Sequence, residues 1–316
     1  MRGFKSLQGR IEPKAISKFA ENMKQDNTIE IRWHGRGGQG AVTSAELTAL
    51  AAIHEGKFAQ AFPSFGPERR GAPVLAFNRV SAGSPIRVRS GVTKPDIVVV
   101  LDPGLVTLIN ITDGLKPGGA LIVNSTKSVD ELQQEFTGDW KLGVVDATSI
   151  ARELLRVNIV NTTMLGALIK VTGVIKLESL DEPLKERFGA RAKSNFDACV
   201  RAYNNIVLSE ITTSGTKRAK SFKTEKALGW KDLKVGCIVT EAGNTKEFCT
   251  GDWKSQHPVS DDTKCIKCGI CSLFCPEGCI KQNKEGYYRA DLFYCKGCGI
   301  CAHECWPQAI NMVEGT

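Results

Sequence analysis

Strand-like and helix-like patterns of apolar residues alternate along the first two thirds of the chain. Residues 29–33 alternate apolar and polar side chains, as in a half-buried strand, and residues 41–55 form an alanine-rich helical stretch before Gly56. Five short apolar runs predict further strands, at 74–80, 86–89, 97–101, 120–123 and 142–145. Because helical stretches separate the later runs, the pattern predicts an α/β layered domain with a largely parallel or mixed sheet.

Polar and turn-forming residues characterise the remaining segments. Residues 60–73 hold three prolines and two glycines, which predict a loop. The stretch from 150 to about 213 has a mostly helical pattern, whereas 227–264 is turn-rich and shows no clear helix. We therefore expect four segments, listed here in chain order: an N-terminal arm (1–27), the α/β domain (28–213), a basic linker and connecting segment (214–264), and a small α+β cysteine domain (265–316).

Composition and charge narrow the class of protein. Hydrophobic residues make up 42% of the 316 residues, enough for a buried core, and no apolar run approaches the roughly 18 residues of a membrane span. The N-terminus lacks the apolar stretch of a secretory signal, so we expect a cytoplasmic protein. The net charge of +8 is too small to require nucleic acid, and we expect neither nucleic-acid nor membrane partners. The basic stretch 212–226 is either a solvated linker or a contact strip for an acidic partner.

Nine of the twelve cysteines lie between Cys265 and Cys305. Eight of them form two runs with the spacing C-x2-C-x2-C-x3-C, offset by 295 − 265 = 30 residues: Cys265, Cys268, Cys271 and Cys275, then Cys295, Cys298, Cys301 and Cys305. Two such runs are typical of a bacterial ferredoxin with two 4Fe–4S clusters. Zinc sites use pairs of cysteines with a longer spacer, so this spacing argues against zinc.

The fourth cysteine of each run lies too far along the chain to reach its own cluster, and it ligates the other one. The predicted ligands of cluster 1 are Cys265, Cys268, Cys271 and Cys305. Those of cluster 2 are Cys295, Cys298, Cys301 and Cys275. Cys279 is interpreted as a small buried residue near a cluster and not as a ligand. The second run departs from the usual pattern, because Trp306 separates Cys305 from Pro307.

A glycine-rich turn at Gly35, Gly37 and Gly40 matches the dinucleotide-binding fingerprint between a strand and a helix. The acidic residue that should follow about 20 positions later is missing, so a tight structural turn is favoured. A self-contained NAD or flavin oxidoreductase with a ferredoxin tail remains an alternative. Arg69 and Arg70 suit bidentate contacts with carboxylate or phosphate, or ion pairs between subunits. No catalytic or nucleotide-binding residue is assigned.

Several long strings resemble a known family. The segments IEIRWHGRGGQGAVTSAEL, AQAFPSFGPERRGAPV, PDIVVVLDP and NTTMLGAL resemble the gamma subunit of 2-oxoacid:ferredoxin oxidoreductases, such as pyruvate synthase. The stretch IVTEAGNTKEFCTGDWK and the cysteine runs resemble the delta subunit. The resemblance covers nearly everything from residue 28 to the end, and it identifies a fused gamma/delta subunit.

The resemblance implies an anaerobic complex in which this chain transfers electrons and is not catalytic alone. Alpha and beta subunits, forming a dimer of heterotrimers with it, would carry thiamine diphosphate, Mg and a further 4Fe–4S cluster, and an external ferredoxin would accept the electrons. Fusion of gamma and delta resembles the arrangement in oxalate oxidoreductase, which makes oxalate the first substrate expectation. Pyruvate is the alternative.

Overall fold

A computed structural model of the protein describes residues 28–64, 71–211, 231, 236, 242–254 and 256–314. These residues fall into two compact units, with the division between residues 219 and 220. The predicted N-terminal arm, most of the basic linker, and Arg69 and Arg70 lie outside the described residues.

The first unit is built on a seven-stranded mixed sheet. Its strands in chain order are β1 (Thr28–Arg36), β2 (Phe58–Pro63), β3 (Pro73–Ser81), β4 (Ile97–Val100), β5 (Ala120–Asn124), β6 (Trp140–Val145) and β7 (Val207–Ile211). They lie in the order β2-β3-β1-β4-β5-β6-β7. The four central strands β1, β4, β5 and β6 are parallel, and β2, β3 and β7 run antiparallel to their neighbours. This confirms the predicted fold class.

Helices cover both faces of this sheet, as a mostly parallel sheet requires. In chain order they are α1 (Ala41–His54), α2 (Leu105–Leu108), α3 (Val129–Gln133), α4 (Ala147–Leu155), α5 (Asn161–Thr172), α6 (Asp181–Phe188) and α7 (Ala192–Asn205). Val99 and Leu101 join the core formed with α1, α5 and α7. Val98 and Val100 join the second core, formed with α2 and α3. Alternate residues of β4 therefore belong to opposite cores, which explains its unbroken apolar sequence.

Three predicted segments are wrong. Residues 86–89 form no strand; Val88 is exposed, and its carbonyl accepts a hydrogen bond from Arg79 at 3.1 Å instead of joining a ladder. Residues 58–63, mostly assigned to a loop, form β2, and Pro63 is tolerated because this strand lies at the sheet edge. Residues 207–211, assigned to helix, form the other edge strand β7.

The second unit consists of short elements. β8 (Gln256–Ser260) pairs with β11 (Ile310–Glu314), and β9 (Ile280–Gln282) pairs with β10 (Tyr288–Ala290), both antiparallel. The helices α8 (Ile270–Leu273) and α9 (Ile300–His303) are a single turn each. In the described part of the chain, no helix has the length and apolar character needed to cross a membrane.

Candidate metal centre

The two cysteine runs have the same backbone conformation. Positive φ angles occur at Lys267, Gly269 and Gly278 in the first run, and 30 residues later at Gly297, Gly299 and Gln308 in the second. Each CxxC turn thus passes through two left-handed residues before its short helix, α8 or α9. Glycine adopts this conformation without strain, whereas Lys267 and Gln308 adopt it only because the fold holds them there.

Backbone hydrogen bonds repeat with the same offset and tie each run to the other. The amides of Cys265 and Cys295 donate to the carbonyls of Asp261 and Asp291 at 3.1 and 3.0 Å. The amide of Asp261 in turn donates to the carbonyl of Ala309 at 2.7 Å, and that of Asp291 donates to the carbonyl of Cys279 at 2.8 Å. The residue that follows the fourth cysteine by four positions therefore anchors the start of the opposite run. This crossed arrangement is what shared ligation of two clusters needs.

The predicted ligands of cluster 2 lie around one cavity. Cys275, from the first run, lines it together with Cys295, Cys298 and Cys301 of the second. Burial and, to a smaller extent, the neighbouring Cys295 and Cys298 sulfurs raise the pKa of the Cys301 thiol to about 11. Cys279 lines the same cavity, so five cysteines from two distant segments border it, and soft sulfur donors suit an iron–sulfur cluster. The residues present fit a 4Fe–4S cluster at this position.

The predicted ligands of cluster 1 are brought together less completely. Burial raises the pKa of the Cys271 thiol, and the nearby Cys268 and Cys265 raise it further, so these three sulfurs are neighbours. Cys271 also lines a cavity of about 310 Å³, which Cys301 borders as well. Cys305 occupies the position equivalent to Cys275 in the repeated backbone, and its sulfur accepts a hydrogen bond from the Ala309 amide at 3.3 Å. Within the described residues, no three His, Cys, Asp or Glu side chains converge on the position of a single metal ion.

Cys279 is buried, with 3% of its surface exposed, and it packs with Ile280, Cys295 and Cys301. Its sulfur lies 3.5 Å from that of Cys275. Burial raises the pKa of the Cys279 thiol, and its contact with Cys275 raises it further. The structure therefore places this ninth cysteine as the sequence predicted, small and buried beside a candidate ligand.

The surroundings of the two sets of predicted cluster ligands differ in charge and in exposure to solvent. Lys296, between Cys295 and Cys298, pairs with Glu277 at 2.6 Å and lies over the Trp253 ring at 4.7 Å from its centroid. The equivalent position in the first run is Ile266, whose side chain is exposed. Because nearby charge and solvent access set cluster potentials, clusters in these two places would not be equivalent.

In the first unit, the glycine-rich turn joins β1 directly to α1. Its space is filled by the chain's own side chains: the Arg36 guanidinium pairs with Asp102 at 3.2 Å, and the Gln39 amide donates to the same carboxylate at 2.5 Å. Gly40 has φ +84°, and a side chain there would collide with Asn161. These contacts at the N-terminus of α1 favour the interpretation as a structural turn over a pyrophosphate site.

Two anchoring residues were missed by the sequence reasoning. Asp261 and Asp291 lie four residues before each run, and their carboxylates accept hydrogen bonds from the amides of Thr263 and Phe293, both at 3.0 Å. Extending the 30-residue offset upstream of the cysteines would have found them. Asp102 and Asn161 gave no comparable signal, because only the fold brings them to the glycine turn.

Each of the two units contains a segment that matches a known protein family. Residues 30–205 match the family described as pyruvate ferredoxin/flavodoxin oxidoreductase. The chain belongs to this family. Residues 258–281 match the 4Fe-4S binding domain, which includes the first cysteine run and Cys279. The chain is therefore, as expected, a subunit of an oxidoreductase with a 4Fe–4S binding domain.

The similar proteins align with the first unit. The pyruvate/ketoisovalerate oxidoreductases common subunit gamma of Thermococcus kodakarensis is 52% identical over 185 residues, which are 58% of this chain and 100% of the relative. The pyruvate synthase subunit PorC of Methanothermobacter thermautotrophicus is 50% identical, over 56% of this chain and 96% of the relative. The crystal structure of pyruvate oxidoreductase subunit PORC from Thermotoga maritima is 40% identical, covers 58% of this chain and 99% of that one, and has a TM-score of 0.52.

Proposed function

We propose that this chain carries electrons from an oxidative decarboxylation site on partner subunits to ferredoxin, through two 4Fe–4S clusters of its own. The observation that carries the proposal is the cavity that Cys275 shares with the three cysteines of the second run. A 4Fe–4S cluster takes up and releases one electron at a time, which suits a relay between a two-electron oxidation and a one-electron carrier.

The chain's own residues would hold the clusters in the crossed pattern. Cys265, Cys268, Cys271 and Cys305 hold cluster 1, and Cys295, Cys298, Cys301 and Cys275 hold cluster 2. The domain division follows the four predicted segments, with one addition. Since β8 pairs with β11, we assign residues 256–264 to the ferredoxin domain together with 265–316.

The first unit serves as the gamma-type subunit. Relatives that align over nearly their whole length with this unit are named as gamma or PorC subunits, which supports partner subunits. In this proposal the partners are alpha and beta subunits, which form a dimer of heterotrimers with this chain. Thiamine diphosphate, Mg and a further 4Fe–4S cluster belong to those partners in this proposal. The basic stretch 212–226 and Arg69 and Arg70 are left without a role.

The substrate is a 2-oxoacid, with pyruvate as the first candidate. The names of the matched relatives favour it, since they refer to pyruvate and ketoisovalerate. Oxalate, the first expectation from the sequence, is the second candidate, because the ferredoxin segment follows the gamma-type segment in a single chain.

The test is an anaerobic assay of the native complex. The chain is tagged in its host, the proteins that accompany it are isolated, and viologen reduction is measured with pyruvate and with oxalate, each with and without coenzyme A. Reduction by pyruvate that requires coenzyme A is the expected result. Reduction by oxalate without coenzyme A would replace pyruvate with oxalate, and reduction by neither would contradict the proposal.

A further inference from the structure

The two cysteine runs differ at one buried position beside the fourth cysteine. Position 279 carries a cysteine, whereas its equivalent 30 residues later is Ala309. The backbone roles of the two residues are the same, because the carbonyls of both accept the amide of the aspartate that begins the opposite run. Cys279 and Ala309 are both nearly inaccessible to solvent. The fold thus offers two equivalent backbone positions, one with a thiol and one without, although the Cys305 sulfur also accepts a hydrogen bond from the Ala309 amide at 3.3 Å.

The Cys279 sulfur is within hydrogen-bond distance of the Cys275 sulfur, at 3.5 Å. Once Cys275 is bound to iron it is a thiolate and has no proton to donate, so the hydrogen bond can run only from Cys279 to Cys275. At the equivalent place around Cys305, the Ala309 side chain offers no donor.

We propose that the Cys279 thiol is a positioning residue that raises the reduction potential of cluster 2 by donating a hydrogen bond to Cys275. This inference rests on the proposed function, because it requires both clusters. When cluster 2 gains an electron its negative charge increases, and a donor to a ligand sulfur stabilises that charge. The step is the transfer of one electron to the cluster, and no bond to hydrogen is formed or broken in it. Cluster 1 has no thiol donor at the equivalent position, which is Ala309. This one difference in sequence therefore contributes to a difference in reduction potential between the two clusters.

The test uses the full chain, loaded anaerobically with iron and sulfide, and compares four proteins: wild type, Cys279→Ala, Cys279→Ser and Ala309→Cys. Iron and labile sulfide are counted first in each sample. The two midpoint potentials are then measured by redox titration followed by electron paramagnetic resonance. Cys279→Ala places at position 279 the alanine that the second run has at position 309. Ala309→Cys places at position 309 the cysteine that the first run has at position 279.

We expect Cys279→Ala to make one midpoint more negative and to leave the other unchanged. A tenfold change in the ratio of reduced to oxidised cluster corresponds to about 59 mV for one electron. Cys279→Ser keeps a donor and should lie close to wild type. Ala309→Cys should move the other midpoint to a more positive value, because it adds a thiol donor to Cys305 beside the amide that already donates there.

Four fully loaded proteins with the same two midpoints would overturn the inference while leaving the proposed function intact. Equal shifts of both midpoints in Cys279→Ala would also overturn it, because a general loosening of the domain acts on both clusters. Wild-type protein with about four iron atoms per chain would contradict the proposed function itself, and the inference with it. If Cys279→Ala fails to load, Ala309→Cys still decides the question, since it adds a donor without removing any group.

Discussion

At the scale of single residues, one cavity brings together cysteines from both runs. Cys275 lies in one run but lines a cavity with the other, and Cys279 contacts it from the interior. The crossed assignment therefore has a direct consequence for variants. Loss of Cys275 and loss of Cys298 should remove the same cluster, although the two residues belong to different runs.

The corresponding prediction concerns iron content. Cys275→Ala and Cys298→Ala should each retain about four iron atoms per chain, and the same resonance signal should disappear from both, because each breaks the ligand set of cluster 2. Cys268→Ala should lose the other signal. The measurement is iron and sulfide analysis with electron paramagnetic resonance of the reduced proteins.

Cys249→Ser is the control for these variants. Cys249 belongs to neither run, and its sulfur contacts the Asp252 carboxylate at 3.3 Å, a contact that a hydroxyl can also make. It should load fully. If Cys275→Ala instead lost the signal that Cys268→Ala loses, each run would hold its own cluster and the crossed assignment would be wrong.

His34 is a buried histidine of β1 that remains neutral in the folded protein. Burial and, to a smaller extent, the adjacent Arg32 guanidinium lower the pKa of His34 to about 3. Arg32 donates through Nε to His34 Nε2 at 3.0 Å, so the ring is held as an acceptor. Protonation would break this hydrogen bond and place two cations side by side in the core.

We therefore expect acid to destabilise the first unit through His34. An unfolded histidine takes up a proton near pH 6.5, so this contribution to stability is fully present above pH 6.5 and is lost as the pH falls towards 3. The loss is at most about 1.4 kcal/mol per pH unit. Thermal midpoints measured from pH 8 to 5.5 should fall less steeply for His34→Gln than for wild type. The control is His54→Gln, because His54 is exposed. Parallel slopes for wild type, His34→Gln and His54→Gln would contradict the neutral, buried state of His34.

At the scale of elements, the helices α5 and α7 lie close together at Gly166. A side-chain carbon built at Gly166 would lie 1.9 Å from the carbonyl oxygen of Cys199. Backbone atoms cannot move aside as the end of a flexible side chain can, so the two helices reach this distance only because residue 166 lacks a side chain. This contact helps to hold α7, whose end leads directly into the edge strand β7.

Gly166→Ala should lower the free energy of unfolding by about 1–3 kcal/mol, the usual cost of overpacking a core. Thermal unfolding followed by circular dichroism measures the change. Gly83→Ala is the matched control, because no described atom lies within 4 Å of the carbon it adds and its φ is not positive. Equal midpoints for Gly166→Ala and Gly83→Ala would show that α5 and α7 can separate without cost.

At the scale of the whole molecule, the chain joins a gamma-type unit to an electron-transfer unit but has no assigned catalytic residue. Loaded with about eight iron and eight sulfide per chain, the isolated protein should be reduced by dithionite and not by pyruvate or oxalate. Adding the alpha and beta subunits should make the clusters reducible by substrate. Visible and resonance spectra before and after each addition provide the measurement, and substrate-driven reduction of the isolated chain would refute the proposed division of labour.

The local sequence predicted those features whose determinants are close together in the chain. The helix from Ala41 and its end before Gly56, the strands at 97–101 and 120–123, and the repeated CxxC turns all follow from patterns a few residues long. The wrong predictions concern segments whose conformation depends on pairing with a strand that is distant in the sequence. Residues 86–89 have strand-like composition but form no strand, whereas 207–211 become a strand because β6 is available beside them.

The sequence by itself determined the α/β class, the ferredoxin repeat, the candidate ligands and the family, because each is written in residue type and short spacing. The repeated spacing also predicted which cysteines of the two runs share a cluster. Only the tertiary structure decided the cavity that Cys275 lines with the second run, and how Arg36, Gln39 and Asp102 close the glycine turn. Those relations join residues far apart in the chain. Their distances depend on how strands pair and helices pack, which no short stretch of sequence specifies.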